Sequence, residues 1–179
     1  MPKRLGYLAP PGTYTEEATE RYDADAERVP YPTFRAVIEA VRSGDVDEGV
    51  TAIENSLEGA VVDTLDLLIQ EDTLHIKQEI MVPILHCLLI EPGTRAEGIK
   101  FVFSHPQALG QCRRYLENEY PNAQPVASLS TAAAVEQMQA SDVPAAAIAS
   151  RRAGDLYGAE VLATNIQDQP GNTTRFVVW

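Results

Sequence analysis

Lysine is nearly missing from this chain. Only Lys3, Lys77 and Lys100 occur among 179 residues, beside eleven arginines. Twenty-six acidic residues against 14 basic ones give a formal net charge of −12. No basic stripe exists, since Arg113-Arg114 and Arg151-Arg152 are isolated pairs, and a nucleic-acid reader is excluded. This balance resembles proteins of salt-rich cytoplasm, whose acidic surfaces stay hydrated while salt screens their self-repulsion. A gain in stability between low and molar salt is the expected sign. Cysteine is equally scarce: Cys87 and Cys112 form neither a CxxC pair nor a disulfide framework, which suits a reducing cytoplasm. No apolar run approaches the ~20 residues that span a bilayer. Met1-Pro2-Lys3-Arg4-Leu5 has no apolar stretch behind its two basic residues, so no signal peptide is expected. His75, His86 and His105 are scattered and lack Cys or carboxylate partners at ligand spacing, so no metal site is expected. His75 and His86 alternate with apolar residues and read as satisfied within a sheet. GxSxG, GxGxxG and P-loop motifs are all lacking, which removes the usual support for hydrolase, dinucleotide-binding and P-loop readings.

What is present is a globular pattern, 45% hydrophobic and 22% charged. The length suits one large domain or two small lobes around a cleft. Short apolar runs alternate with amphipathic segments. A strand is predicted over Arg4 to Ala9, and Thr13 with Glu16 forms a capping box that starts a helix running to about Tyr22. A strand over Arg28 to Tyr31 precedes a helix with Phe34, Val37, Ile38 and Val41 at helical spacing, ended by Gly44. Gly49 to Ile53 is a third strand, followed directly by Glu54-Asn55-Ser56 and a helix bearing Leu65, Leu68 and Ile69. Leu74 to Ile90 reads as strand throughout, a crossover between two lobes. Then come a strand over Ile99 to Phe103, one helix from His105 to Tyr120, a short strand at Val126 and an Ala-rich helix capped by Ser130-Thr131. Ala145 to Ala149 is a buried strand, Arg151 to Tyr157 a short helix, and Arg175 to Val178 the closing strand. Strand–helix alternation predicts an α/β fold with mostly parallel sheets. No internal repeat is visible.

Polar residues capable of chemistry cluster just after strands, at helix N-termini: Gly12 to Thr15, Glu54 to Ser56, Ser104-His105, Ser130-Thr131 and Asn172 to Arg175. In α/β sheets ligands bind beyond the carboxyl ends of strands, where free N–H groups and a partial positive charge suit anions. Thr13, Ser130 and Thr131 have a plainer reading as helix caps, and Glu54-Asn55-Ser56 as a cap and turn. A carboxylate directly after a buried strand is also a place for a raised pKa, which makes Glu54 a candidate acid. Arg175 is the strongest candidate for a bidentate carboxylate contact.

Five segments together carry a family resemblance. They are Gly12-Thr13-Tyr14-Thr15-Glu16-Glu17-Ala18, Ile53-Glu54-Asn55-Ser56 with Gly59, and Ser104-His105-Pro106-Gln107 with Gln111-Cys112. Ala146 to Ser150 with Tyr157-Gly158, and Asn172-Thr173-Thr174-Arg175-Phe176, complete the set. In this order, from about Leu5 to Val178, they resemble prephenate dehydratase, the catalytic domain of phenylalanine biosynthesis. Ala159 departs from the family's larger aliphatic residue. The family commonly continues into an ACT-type regulatory domain, whereas this chain stops at Trp179, so a catalytic unit without it, and without a fused chorismate mutase segment, is expected.

The resemblance implies two α/β lobes around a cleft, similar to type II periplasmic binding proteins. Lobe 1 is expected over 1–79 plus 163–179 and lobe 2 over 80–162. The implied reaction turns prephenate into phenylpyruvate, carbon dioxide and water, driven by aromatisation, with no cofactor and no metal. By resemblance Thr174 lies at the leaving hydroxyl, with Glu54 as the titratable alternative and Asn55, Ser56 and Gln111 as orienting groups. Arg175 and the helix N-termini after Thr13 and Ser130 hold the substrate carboxylates. Ser104, Thr131, Thr173 and Phe176 are further expected substrate contacts. A small-molecule substrate, a homodimer or higher homo-oligomer and a cytoplasmic setting are expected, with no nucleic-acid or membrane partner. Arogenate as substrate, or a two-lobed binding module without chemistry, are the alternatives.

Overall fold

The computed structural model describes residues 2–70, 73 and 75–179. In chain order the elements are β1 (Arg4–Leu8), α1 (Tyr14–Tyr22), β2 (Glu27–Tyr31), α2 (Phe34–Ser43), β3 (Glu48–Asn55), β4 (Gly59–Ala60), α3 (Val62–Gln70) and β5 (Gln78–Pro83). They continue with β6 (Cys87–Ile90), β7 (Phe101–Ser104), α4 (Pro106–Gln111), α5 (Arg113–Glu119), β8 (Gln124–Ala127), α6 (Thr131–Gln139), β9 (Ala145–Ala149), α7 (Arg151–Tyr157), β10 (Glu160–Thr164) and β11 (Thr173–Val178). Among the described residues no helix is long and apolar enough to cross a membrane.

The chain forms two compact units, residues 1–84 with 171–179, and residues 85–170. The division falls at 84/85 and 170/171 instead of the expected 79/80 and 162/163. β5 is the reason: its whole length pairs antiparallel with β11, from Thr173 opposite Pro83 to Val178 opposite Gln78, which ties it to the first unit.

Within the first unit the sheet order is β2-β1-β3-β11-β5, with β4 off β3. β1 runs parallel to β2 and β3, whereas β11 runs antiparallel to β3 and β5 antiparallel to β11. The second unit has the order β10-β6-β9-β7-β8. There β7 is parallel to β8 and β9, while β6 and β10 are antiparallel additions. Both sheets are therefore mixed and not mostly parallel, because the returning strands run against each parallel trio. Each trio is wound strand–helix–strand–helix–strand with its first strand in the middle. The sequence shows no repeat because the topology recurs without residue identity.

Local signals explain the elements. The Thr13 hydroxyl accepts from Glu16 N at 3.3 Å, and the Glu16 carboxylate returns to Gly12 N at 2.7 Å, two N-terminal donors satisfied reciprocally. Thr33 caps α2 through Ala36 N at 3.0 Å, and Gly44 closes it at φ 79°, a left-handed conformation that glycine adopts without strain. α1 seats Ala18 against Val50, Ile80, Val82, Phe176 and Val178 on one face of the first sheet. Ile38 of α2 and Leu67 of α3 pack with Ile53, Val177 and Trp179 on the other. Each fully buried Val, Leu, Ile or Phe among them contributes roughly 1.5–3 kcal/mol. At Gly49 a Cβ would meet Val37 Cγ1 at 2.6 Å, so the close approach of α2 to β3 requires glycine. In the second unit the four alanines and one isoleucine of β9 are all buried, with α6 on one side and Ala108 and Cys112 on the other.

Two expected elements are divided. The 74–90 stretch is not one strand: Leu74 lies outside the described residues, and β5 and β6 are separated at 84–86. The helix expected over 105–120 breaks at Cys112 (φ −114°, ψ 15°) into α4 and α5.

Candidate functional site

The polar centre of the first unit lies where β3 and β11 run side by side. Thr174 sits opposite Asn55, and Arg175 opposite Glu54. Alternation along a strand sends these two pairs to opposite faces of the sheet. Asn55 and Thr174 are both 7% exposed. The Asn55 Nδ2 group donates to Thr174 Oγ1 at 2.9 Å and to Asn172 Oδ1 at 2.8 Å. Its Oδ1 accepts from Leu57 N at 3.0 Å and Glu58 N at 3.1 Å, closing the turn into β4. All four hydrogen-bonding positions of this amide are thus filled. The Thr174 oxygen accepts, and its own O–H has no acceptor among the described residues. Ser56 completes the cluster: its hydroxyl accepts from Thr173 N at 3.0 Å and reaches Asn172 Oδ1 at 3.4 Å. The Thr173 hydroxyl turns to Gly171 O at 3.4 Å.

Helix α1 covers the same face, with Tyr14 and Ala18 packed near Val82, the β5 neighbour of Thr174. Its N-terminus follows the carboxyl end of β1, which is parallel to β3, so it faces the end of the sheet that carries Asn55. Thr13 itself is engaged, donating to Leu8 O at 3.1 Å while it caps the helix.

Glu54 and Arg175 form a different arrangement from the one expected. Arg175 Nη2 meets Glu54 Oε2, and its Nη1 meets Glu79 Oε1, both at 2.8 Å. The Glu54 side chain is 51% exposed. It belongs to β3 itself and not to a loop after it, and its side chain is on the exposed surface of the sheet. Two carboxylates of the same sheet take one terminal nitrogen of Arg175 each, while its buried Nε has no hydrogen-bond partner among the described residues. Phe176, an expected substrate contact, is a core residue, 2% exposed among Ile80, Val82 and Val178.

The second unit holds the remaining predicted residues. Ser104 is fully buried and donates to Ile148 O at 2.6 Å, so its hydroxyl proton is committed to the sheet. Ser130 caps α6 through Ala133 N at 2.9 Å, and half-buried Thr131 begins that helix. His105 caps α4, its Nδ1 accepting from Gln107 N at 3.3 Å. Gln111 ends α4, and its Oε1 lies 2.9 Å from His86 Nε2. Its backbone carbonyl accepts from Asp168 N at 2.7 Å. The Asp168 carboxylate in turn receives Arg114 N at 3.0 Å and Tyr115 N at 3.3 Å at the start of α5. Burial holds the His86 ring below its ordinary pKa of 6.5, partly opposed by the bond to Gln111. Among the described residues no group of three or more His, Cys, Asp or Glu side chains is placed to hold a metal ion.

A family model described as prephenate dehydratase matches residues 5–179. The chain belongs to the prephenate dehydratase family. It is 42% identical over 176 residues to arogenate dehydratase/prephenate dehydratase 1, chloroplastic, of Arabidopsis thaliana, covering 98% of this chain and 44% of the relative. It is 38% identical to the bifunctional chorismate mutase/prephenate dehydratase of Stutzerimonas stutzeri, covering 99% of this chain and 48% of that protein. The crystal structure of prephenate dehydratase in complex with L-Phe from Arthrobacter aurescens superposes with a TM-score of 0.91 at 36% identity, covering 98% of this chain and 59% of that one. A likeness in fold alone extends to the methionine binding protein MetQ, with a TM-score of 0.50, 11% identity and 98% and 82% coverage. The chain spans about half the length of the curated relatives it matches.

Within this prephenate dehydratase fold, two polar residues have contacts that the sequence did not assign. Asn172 stood in the polar cluster 172–175 without a role of its own, and its Oδ1 joins Asn55 and Ser56. His86 read as a sheet residue, but it lies in the break between β5 and β6 and touches Gln111. Its apolar flanks hid it; the one available signal was Pro83, which marks the strand's end.

Proposed function

We propose that the chain catalyses the decarboxylative dehydration of prephenate to phenylpyruvate, with Thr174 hydrogen-bonded to the leaving hydroxyl. The bond from the ring to its carboxylate breaks, carbon dioxide departs, and the electron pair enters the ring. The ring C–O bond breaks at the opposite position, and the leaving hydroxide becomes water with a proton that comes in the end from solvent, while Thr174 keeps its own proton and gives only a hydrogen bond. The Thr174 O–H is the donor offered to that oxygen. Asn55 supports this by donating to Thr174 Oγ1 at 2.9 Å, which occupies the acceptor side of the hydroxyl and stabilises charge drawn onto its oxygen. This one contact, inside a chain matched to the family over residues 5–179, carries the reading. Alignment of the breaking bonds supplies several kcal/mol more.

The partial positive charge of the α1 N-terminus suits a substrate carboxylate. Gln111 acts as a further hydrogen-bonding group toward substrate, and Arg175 as a clamp on the sheet that carries Thr174. Incubating the purified chain with prephenate, without added metal or cofactor, and following phenylpyruvate by its ultraviolet absorbance tests the proposal. Formation of phenylpyruvate is expected; prephenate bound and released unchanged would favour a binding module.

Arogenate is a second reading, favoured by the plant relative's double name. Comparing kcat/KM on the two substrates decides between them. We place the protein in the cytoplasm, which suits its two unpaired thiols, and expect a homodimer or higher homo-oligomer, which light scattering after size exclusion measures.

A further inference from the structure

We propose that His86 is a positioning residue for Gln111: its Nε2–H donates to Gln111 Oε1 and fixes which end of that amide faces substrate. The inference rests on the functional reading above, since it assigns a supporting group to a residue of that reading.

The observations come from three directions. First, His86 is 2% exposed, and its ring Nε2 lies 2.9 Å from the Gln111 oxygen, too close for anything but a hydrogen bond. Second, the His86 backbone is fixed on both sides. Its N–H donates to Gln167 Oε1 at 3.1 Å, and its carbonyl accepts from Ile166 N at 3.1 Å. The ring therefore stands in a pinned position, although it lies in an irregular segment between two strands. Third, Gln111 is itself anchored, because its carbonyl accepts from Asp168 N at 2.7 Å, next to the Cys112 break between the two helices.

An amide has chemically different ends, and rotation by half a turn exchanges a donor for an acceptor. A glutamine meant to donate to an anionic substrate must keep its oxygen turned away. The His86 ring does this when it carries its proton on Nε2, because that N–H can be met only by the amide oxygen. Burial keeps the ring neutral at pH 7, in agreement with this arrangement.

The test combines spectroscopy and a mutant cycle in the whole chain. Nitrogen-15 NMR of the imidazole at pH 7 should show the Nε2-protonated neutral tautomer, with the Nε2 resonance displaced in Gln111→Leu. On prephenate, His86→Phe should lower kcat/KM about tenfold, while His86→Gln, which keeps a donor at similar reach, should recover to within about threefold. In the Gln111→Leu background, His86→Phe should cost less than about twofold, because the two residues act as a unit. A thermal melt of each variant identifies any that fail to fold, for which the tautomer in the wild-type chain decides. A ring bare at Nε2, or additive losses in the cycle, overturns the assignment of His86. A wild-type chain that leaves both prephenate and arogenate unchanged overturns the functional reading instead, whatever the ring shows.

Discussion

The Asn55 amide holds the Thr174 hydroxyl by its oxygen, at 2.9 Å, across a strand pair that joins residues 119 apart in sequence. The orientation of that amide is set by the main chain, because Leu57 N and Glu58 N occupy its oxygen. Asn55→Asp separates the two functions of the side chain. Oδ1 still closes the turn, but an oxygen replaces the donor facing Thr174. The threonine then turns to donate to the new carboxylate and withdraws its proton from substrate. We expect kcat to fall by about 10²-fold or more while the fold persists, measured as prephenate turnover beside a thermal melt.

Glu54 faces away from Thr174, half exposed and paired with Arg175. Glu54→Gln should therefore leave kcat within about threefold, and the lost exposed pair should cost no more than about 1 kcal/mol. A loss of two orders of magnitude in turnover would return Glu54 to the role of acid.

Two of the chain's three lysines converge on one carboxylate. Lys3 Nζ and Lys77 Nζ each lie 2.9 Å from the buried Glu48. Burial opposes the Glu48 charge, but hydrogen bonds from Lys77 and Lys3 outweigh it and hold the carboxyl below its ordinary 4.5. As pH falls, the unfolded chain takes up this proton before the folded one does. The stability Glu48 supplies is complete above pH 4.5 and disappears as pH falls through the folded-state value. Denaturant melts between pH 3 and 7 should show a shallower acid decline in Glu48→Gln than in the parent chain.

Both thiols are buried, and burial, aided by the nearby Asp168 charge, pushes Cys112 up to about 12. Burial raises Cys87 as well. Neither should react with iodoacetamide at pH 8 until denaturant opens the second unit, since the thiolate is the nucleophile. Mass spectrometry across a denaturant series measures this, and rapid labelling of the native chain would contradict it.

What was legible in the sequence was local. Thr13 with Glu16, Thr33, Gly44 and Ser130 announce helix ends because cap and helix lie within four residues of each other. The break at Cys112 was not legible, because it is stabilised by Asp168, 54 residues from the Arg114 N–H it accepts. Glu54 reads as following a strand because the residue it pairs with, Arg175 of the neighbouring strand β11, lies 121 residues on. Within the strand expected over 74–90, the mostly apolar residues 80–90 hid the interruption, since apolar periodicity is the same in a strand and in a buried turn between strands. Asn55 and Thr174 were identified by family resemblance; their contact depends on β11 pairing antiparallel with β3, a register no local pattern specifies.

The most direct measurement is kcat on prephenate for Thr174→Val beside Thr174→Ser. Valine keeps the volume and removes the hydroxyl, whereas serine keeps the hydroxyl and loses a methyl group. The account predicts a kcat lowered by about 10²–10³-fold in Thr174→Val, a much smaller change in KM, and most of the turnover retained in Thr174→Ser. Near-normal turnover in Thr174→Val would contradict it.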